Sequence, residues 1–300
     1  MKVFVTGATG YIGGSIAAKL VERGDAVVGL TRSASGEAGL RAMGVEPLRG
    51  TLKDERALRQ GLQDADAVVN AADSDDPWAV RTLIEGLAGS GRPLLHTSGS
   101  SILGDRAAGE ASETVHSDKA PVVPLFEKAG RVGIDRAVTE SACRGLRPVV
   151  FCPSMIYGRG RGPKRTSVQL PMLIALARES GRARHVGRGL NLWSNVHIDD
   201  LVEAYLAALD DPQASGFFFL GAGEASFRDL AMALGQALGL DGEPEPLAVE
   251  EAVLRFNPEA AIFALGSNSR VRAERTREVL GWRPRGPEIF ATLEEACADA

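Results

Sequence analysis

The stretch MKVFVTGATGYIG, residues 1–13, decides how the rest of the chain is read. Lys2–Thr6 is a short apolar run that predicts a strand. Gly7, Gly10 and Gly13 follow in the spacing G-x-x-G-x-x-G, and Gly13–Arg23 reads as a helix. Ile12, Ile16 and Leu20, with Ala17 and Val21 beside them, give that helix one apolar face. Gly24-Asp25 closes it. The first two glycines permit a tight turn and close backbone approach to a pyrophosphate. The third brings the helix against the sheet, and the helix's first amides face the anion. Glycine triplets punctuate many turns, so the strand before and the helix after are what make this a dinucleotide site. Its expected cofactor contacts are Gly7, Thr9, Gly10, Tyr11, Ile12 and Gly13.

Outward from this cradle, short β-type runs alternate with helical patterns, the signature of a parallel sheet covered by helices. Strands are predicted at Ala26–Thr31, Val45–Leu48, Ala67–Asn70, Leu94–Thr97 and Arg147–Cys152. Helices are predicted at Glu37–Met43, after a cap at Asp54, around Val80–Leu87, and over Glu127–Arg144. This is an α/β Rossmann fold, a doubly wound parallel sheet. Beyond residue 158 the character changes. A helix near Leu170–Arg178, a second opened by Asp199 or Asp200, an aromatic strand at Gly216–Leu220 and a helix at Phe227–Leu238 follow. The division expected is a dinucleotide-binding domain of residues 1–157 plus 195–222, and a smaller C-terminal α/β substrate lobe of 158–194 plus 223–300.

Three hundred residues, 44% of them hydrophobic, suffice for a large core. A net charge of −5 gives no global field for nucleic acid or an anionic membrane, and neither is an expected partner. RGRGPKR at 159–165 reads as a solvated loop or a local anion site. Cys143, Cys152 and Cys297 have neither metal-ligand nor C-x-x-C spacing, so no metal and no disulfide framework is expected. The opening strand is preceded by no charged or long apolar leader, which makes the cytoplasm the expected location.

The end of the second strand bears on which dinucleotide binds. NAD-selective sites place an acid there for the ribose hydroxyls. Here the sequence is Gly29-Leu30-Thr31-Arg32-Ser33, with no acid before Glu37. Arg32 suits an adenosine 2′-phosphate, with Thr31 and Ser33 as hydrogen-bond donors; a plain surface arginine is the alternative. NADP(H) is the expected cofactor, with Thr51 and Leu52 after the third strand as further contacts.

TGATGYIG, NAAD at 70–73, TSGSSILG at 97–104, FCPSMIYGRG at 151–160, NVHIDDLVEAYLAAL at 195–209, FFFLGAGEASFRDLA at 217–231 and the terminal REVLGWRP together resemble an extended short-chain dehydrogenase/reductase over nearly the whole chain. The resemblance implies that Ala71 and Ala72 border the cofactor, that Pro153 flanks the nicotinamide, and that the region after Tyr157 helps form a substrate pocket. It also implies a Tyr and a Lys at i, i+4 on the helix before FCPSM, the ammonium lowering the phenol's pKa. Counting back from Glu140 puts Val132 and Arg136 there. Tyr11, Tyr157 and Tyr205 are followed four residues on by Ser15, Arg161 and Leu209, so no Tyr-x-x-x-Lys exists. The usual serine falls at Gly99, flanked by Ser98 and Ser100. Valine transfers no proton, and arginine titrates too high to be a base. The chain is thus similar to atypical members of the family, some of them antibiotic-pathway ketoreductases.

Several residues remain as candidates for chemistry. Ser98 or Ser100 could donate to a developing oxyanion or satisfy nearby backbone. Tyr157 could meet substrate or pack between lobes. Arg136 could reach the nicotinamide ribose or lie on a solvated helix face. His96, His116 and His197 read as structural or solvated histidines, and Phe217–Phe219 as a buried strand. The expected function is NADPH-dependent reduction of a bulky, aromatic small-molecule ketone without a tyrosine acid, Ser98, Ser100 and Tyr157 being the candidate catalytic residues. The alternative is a non-catalytic NADP(H) sensor. Epimerase and dehydratase chemistry also draws on the absent tyrosine. Oligomeric state is left open.

Overall fold

The computed structural model describes residues 1–300. In chain order the elements are β1 (Lys2–Thr6), α1 (Tyr11–Glu22), β2 (Ala26–Thr31), α2 (Ala34–Ala42), β3 (Glu46–Arg49), α3 (Glu55–Leu62), β4 (Ala67–Asn70), α4 (Pro77–Leu87), β5 (Pro93–Thr97), β6 (His116–Ser117), α5 (Ala129–Glu140), β7 (Arg147–Pro153), β8 (Met155–Tyr157), α6 (Gln169–Ser180), β9 (Arg184–Val186), β10 (Leu192–His197), α7 (Ile198–Asp210), β11 (Gly216–Leu220), β12 (Gly223–Ser226), α8 (Phe227–Ala237), β13 (Glu245–Leu247), α9 (Val249–Arg255), β14 (Val271–Arg272), α10 (Glu274–Leu280) and α11 (Leu293–Asp299). Seven strands form one parallel sheet in the order β11-β7-β5-β4-β1-β2-β3. From β1 the chain winds outward through β2 and β3, then returns to β4 and winds the other way. The reversal lies between β1 and β4, where Thr6 pairs with Asn70, and that is where such sheets open a crevice at their carboxyl ends.

Both faces of the sheet are covered, which is why β1, β4 and β7 are apolar almost without alternation. Ile16 and Leu20 of α1 and Tyr205 of α7 pack with Val3, Val5, Leu95 and Phe151 on one face. Leu58 of α3, Leu83 of α4 and Val138 of α5 pack with Phe4, Val68, Leu94 and Val150 on the other. A second core gathers Met155, Leu173, Trp193, Phe227, Leu234 and Leu265. Around it β10 pairs parallel with β8 and antiparallel with β12, and β9 pairs with β13. No helix is long and apolar enough to cross a membrane.

Several boundaries shift from the sequence reading for local reasons. Ser33 caps α2 by accepting from the Gly36 amide, so that helix starts at Ala34 rather than Glu37. The span Glu127–Arg144 narrows to α5 between two short 3₁₀ turns, and Gly145, at φ +75, ends it. His197, not an aspartate, caps α7, its Nδ1 accepting from the Asp199 amide. Asp200 instead accepts from the amides of Arg285 and Gly286.

Candidate active site

Gly7 has φ +71, the left-handed region that glycine favours, and a Cβ there would lie 2.5 Å from the Ala71 carbonyl oxygen. A Cβ on Gly13 would run into the Gly7 carbonyl. Gly10 differs, since its Cβ would meet only the Gly7 oxygen, at 3.1 Å. Gly10 is also the N-cap of α1 and supplies no capping side chain, so the amides of the helix's first turn are left for an anion. Gly7, Thr9 and Gly10 line a cleft of about 610 Å³ that continues over Ala71, Ala72 and Asp73. A backbone cradle of this form, narrow where side chains would block it and positive at its helix end, fits a dinucleotide pyrophosphate.

At the far end of the cleft Thr31, Arg32, Thr51, Leu52 and Lys53 form the wall. Arg32 is exposed and makes no salt bridge. Thr31 is buried, its hydroxyl tucked against Gly36 at the start of α2. The Ser33 oxygen is taken up as the α2 cap, leaving its proton to Ser35 or to a ligand. Glu37 is held by Arg49 at 2.5 Å, and that partner keeps its carboxyl below the usual range. Lys53, which the sequence reading passed over, adds a second cation here and pairs with Asp76 at 2.9 Å.

Where β5 ends, α5 brings a polar cluster against the sheet. Ser98 donates to Asp135 Oδ2 at 2.6 Å, and both residues are buried. Burial raises the Asp135 carboxyl to about 6, against the lowering effects of the Ser98 hydrogen bond and the Arg131 charge. Asp135 Oδ1 faces His96 Nε2 at 3.7 Å. Burial lowers His96 to about 4, so its ring is neutral at neutral pH. Arg131, one turn before Asp135, donates to Ser101 Oγ at 2.9 Å and to both oxygens of Asp75. A Cβ at Gly99 would have only this guanidinium near it, 3.7 Å away. Ser100 is buried, and its hydroxyl has no partner.

The model of the NAD dependent epimerase/dehydratase family matches residues 3–217. The chain belongs to this family. The oxidase ucsJ of Acremonium sp is 33% identical over 98% of this chain and 95% of its own. A 4-hydroxy-2-methyl-3-oxo-4-farnesyl-3,4-dihydroquinoline-1-oxide ketoreductase of Stigmatella aurantiaca is 24% identical over 95% and 92%. Among solved structures, UDP-glucose 4-epimerase of Thermotoga maritima superposes with a TM-score of 0.78 at 19% identity, covering 100% of this chain and 98% of that one. The dTDP-glucose 4,6-dehydratase of Bacillus anthracis, in complex with NAD, does so at 0.78 and 16%, covering 99% and 96%. These superpositions establish the fold. Family and cleft together make the protein an NAD(P)-dependent enzyme of the oxidoreductase type.

In this member of the epimerase/dehydratase family the three phenols are all engaged elsewhere. Tyr157, a candidate either for meeting substrate or for packing between lobes, donates to the Pro287 carbonyl at 2.8 Å and stacks edge-on to His197. Burial pushes its hydroxyl up to about 12. Tyr11 donates to the Gly158 carbonyl at 2.8 Å, and the Tyr205 and Thr97 hydroxyls hydrogen-bond to each other at 2.7 Å; burial raises both phenols. Arg136 is exposed and reaches the Val122 carbonyl, while Val132 is buried with Ile102 and Leu103. Pro153 ends β7 beside Leu220. His116 pairs with Val271 in β6 and borders a 220 Å³ pocket with Val123, Leu125 and Arg270. The 159–165 loop is pinned down by Arg161–Asp199 and by Gly162 packing on Gly14. Asp135 and Arg131 escaped the sequence reading because a lone Asp or Arg on a helix looks solvated; the signal was their i, i+4 spacing on one face.

Proposed function

We propose that the protein is an NADPH-dependent ketoreductase acting on a bulky, aromatic small molecule of secondary metabolism, without a tyrosine acid. One observation carries this reading: an open dinucleotide cradle stands beside a polar cluster that contains no phenol, since all three tyrosine hydroxyls are engaged elsewhere. When bound, the reduced cofactor supplies a hydride to a carbonyl carbon; the chain has to hold the carbonyl oxygen and give it a proton. Arg32 supports NADP(H), a cation standing at the end of β2 where an acid would select NAD, and Lys53 lines the same wall of the cleft. The similarity to the ketoreductase of Stigmatella aurantiaca supports the reaction class, and a finer kinship with the simocyclinone 7-oxo ketoreductase is part of what is proposed. Support for an apolar substrate comes from Ile102, Leu103, Val123 and Leu125 around the pocket by His116, next to Phe126, which is 93% exposed. Residues 158–194 and 223–300 would form the substrate lobe.

The test is stoichiometric oxidation of NADPH with a panel of aromatic ketones. Turnover with NADPH in preference to NADH is expected. If NADP(H) binds, no ketone is reduced, and the cofactor instead changes affinity for a partner protein, the sensing alternative replaces this reading.

A further inference from the structure

A chain of buried polar side chains crosses the sheet near the carboxyl ends of β1, β4 and β5. Thr6 Oγ1 donates to Asn70 Oδ1 at 2.5 Å, which turns the amide nitrogen of Asn70 toward His96 Nδ1, at 3.0 Å. His96 Nδ1 is therefore an acceptor, and the neutral ring carries its proton on Nε2. Nε2 points at Asp135 Oδ1, and neither atom has a hydrogen-bond partner although both are buried. The other carboxyl oxygen meets Ser98, whose amide is anchored to the Phe151 carbonyl at 2.7 Å. Ser98 stands at the carboxyl end of β5, the edge on which open α/β sheets bind their ligands.

We propose that Asp135, acting through the Ser98 hydroxyl, holds and delivers the proton for carbonyl reduction, in the role that a phenol would otherwise fill. The inference rests on the reductase reading and supplies its proton source. A serine hydroxyl has a single proton. While Asp135 is ionised, that proton points at the carboxylate and Ser98 has nothing to give. Once Asp135 is protonated, its carboxyl donates to Ser98 Oγ, and the serine proton turns toward the cleft. In the reaction the carbonyl carbon gains the hydride, its oxygen takes the Ser98 proton, and Ser98 is refilled from Asp135 Oδ2. The products are the alcohol, the oxidised cofactor and the Asp135 carboxylate, which regains its proton from water through the same hydroxyl after product leaves.

The groups facing Asp135 are suited to holding it near the switching point. Arg131 on α5 favours the carboxylate, and Asp75 from the β4–α4 connection opposes it. His96 on β5 stays neutral, and the Cys152 thiol on β7, pushed up by burial, stays protonated. Burial outweighs Arg131 and leaves the carboxyl protonated in mildly acidic solution.

The experiment combines kinetics with infrared spectroscopy on the free protein. The unmodified protein should show a protonated-carboxyl band that fades as pH rises through about 6 and is missing from Asp135→Asn. Its kcat should fall over the same range. Asp135→Asn and Ser98→Ala should each lower kcat by on the order of 10²-fold or more, with KM and NADPH affinity nearly unchanged. Asp135→Glu should restore part of the rate and its pH dependence. Wild-type kcat in either Asp135→Asn or Ser98→Ala, or absence of the band at about pH 5, would overturn the proposal. Should Asp135→Asn fail to fold, the band and the Ser98→Ala rate decide. If the unmodified protein shows the band yet reduces no ketone, the reductase reading itself has failed, and the delivery step with it.

Discussion

Arg32 stands at the end of β2 with its guanidinium free, and Glu37, the first acid after that strand, is tied to Arg49 and Arg41. NADPH should therefore bind at least tenfold more tightly than NADH, about 1.4 kcal/mol. Arg32→Asp should erase or reverse the preference, as fluorescence titration with both cofactors would show; equal affinities in the unmodified protein would count against Arg32. Asp135 sets a second expectation at this scale. Its folded pKa lies above the unfolded value, so between about pH 4 and 6 the native state binds more protons than the unfolded one. Stability thus falls as pH rises through that window, and above about 6 the full cost of a buried carboxylate is present. Asp135→Asn should match the unmodified protein near pH 4 and exceed it near pH 7 by up to roughly 3 kcal/mol. Urea unfolding at the two pH values measures this, and a less stable variant near pH 7 would mean that the carboxylate is a net stabiliser.

The β1–turn–α1 element separates glycines that the fold needs from one that the ligand needs. Gly10→Val meets little of the protein, so the chain should stay folded while the branched side chain blocks the cleft and NADPH binding is lost. Gly13→Val drives a side chain into the Gly7 carbonyl and should cost several kcal/mol of stability through loss of α1 packing. Circular dichroism with cofactor titration distinguishes the two; a Gly10→Val protein that folds and keeps full affinity would put the dinucleotide elsewhere. This element was legible in the sequence because everything that shapes it lies within about twenty residues. The start of α7 was less so: Asp199 and Asp200 both look like caps, and the choice of His197 depends on Asp200 being held by residues 285–286 from the other end of the chain.

Across the whole molecule, bonds between segments far apart in the chain tie the fold together. Tyr157 reaches Pro287, and Lys128, a buried ammonium at the foot of α5, pairs with Glu259 and lies over the Phe263 ring. Tyr157→Phe should remove one buried hydrogen bond, strand the Pro287 carbonyl, and lower stability by about 1–3 kcal/mol while leaving kcat nearly unchanged. Thermal unfolding together with steady-state kinetics checks this, and loss of turnover at unchanged stability would return Tyr157 to the chemistry. What the sequence alone determined was the parallel α/β sheet, the glycine cradle and the want of a Tyr-x-x-x-Lys pair, because periodicity, turn chemistry and residue spacing are local properties. Only the tertiary structure decided that Tyr157 is engaged at Pro287, and that Ser98, Asp135 and His96 share one buried cluster. Asp135 lies 37 residues from Ser98, and no periodic pattern links a strand end to a single helix position across that distance. They meet because α5 packs its inner face on the sheet, and the same packing strips water from the carboxyl and raises its pKa.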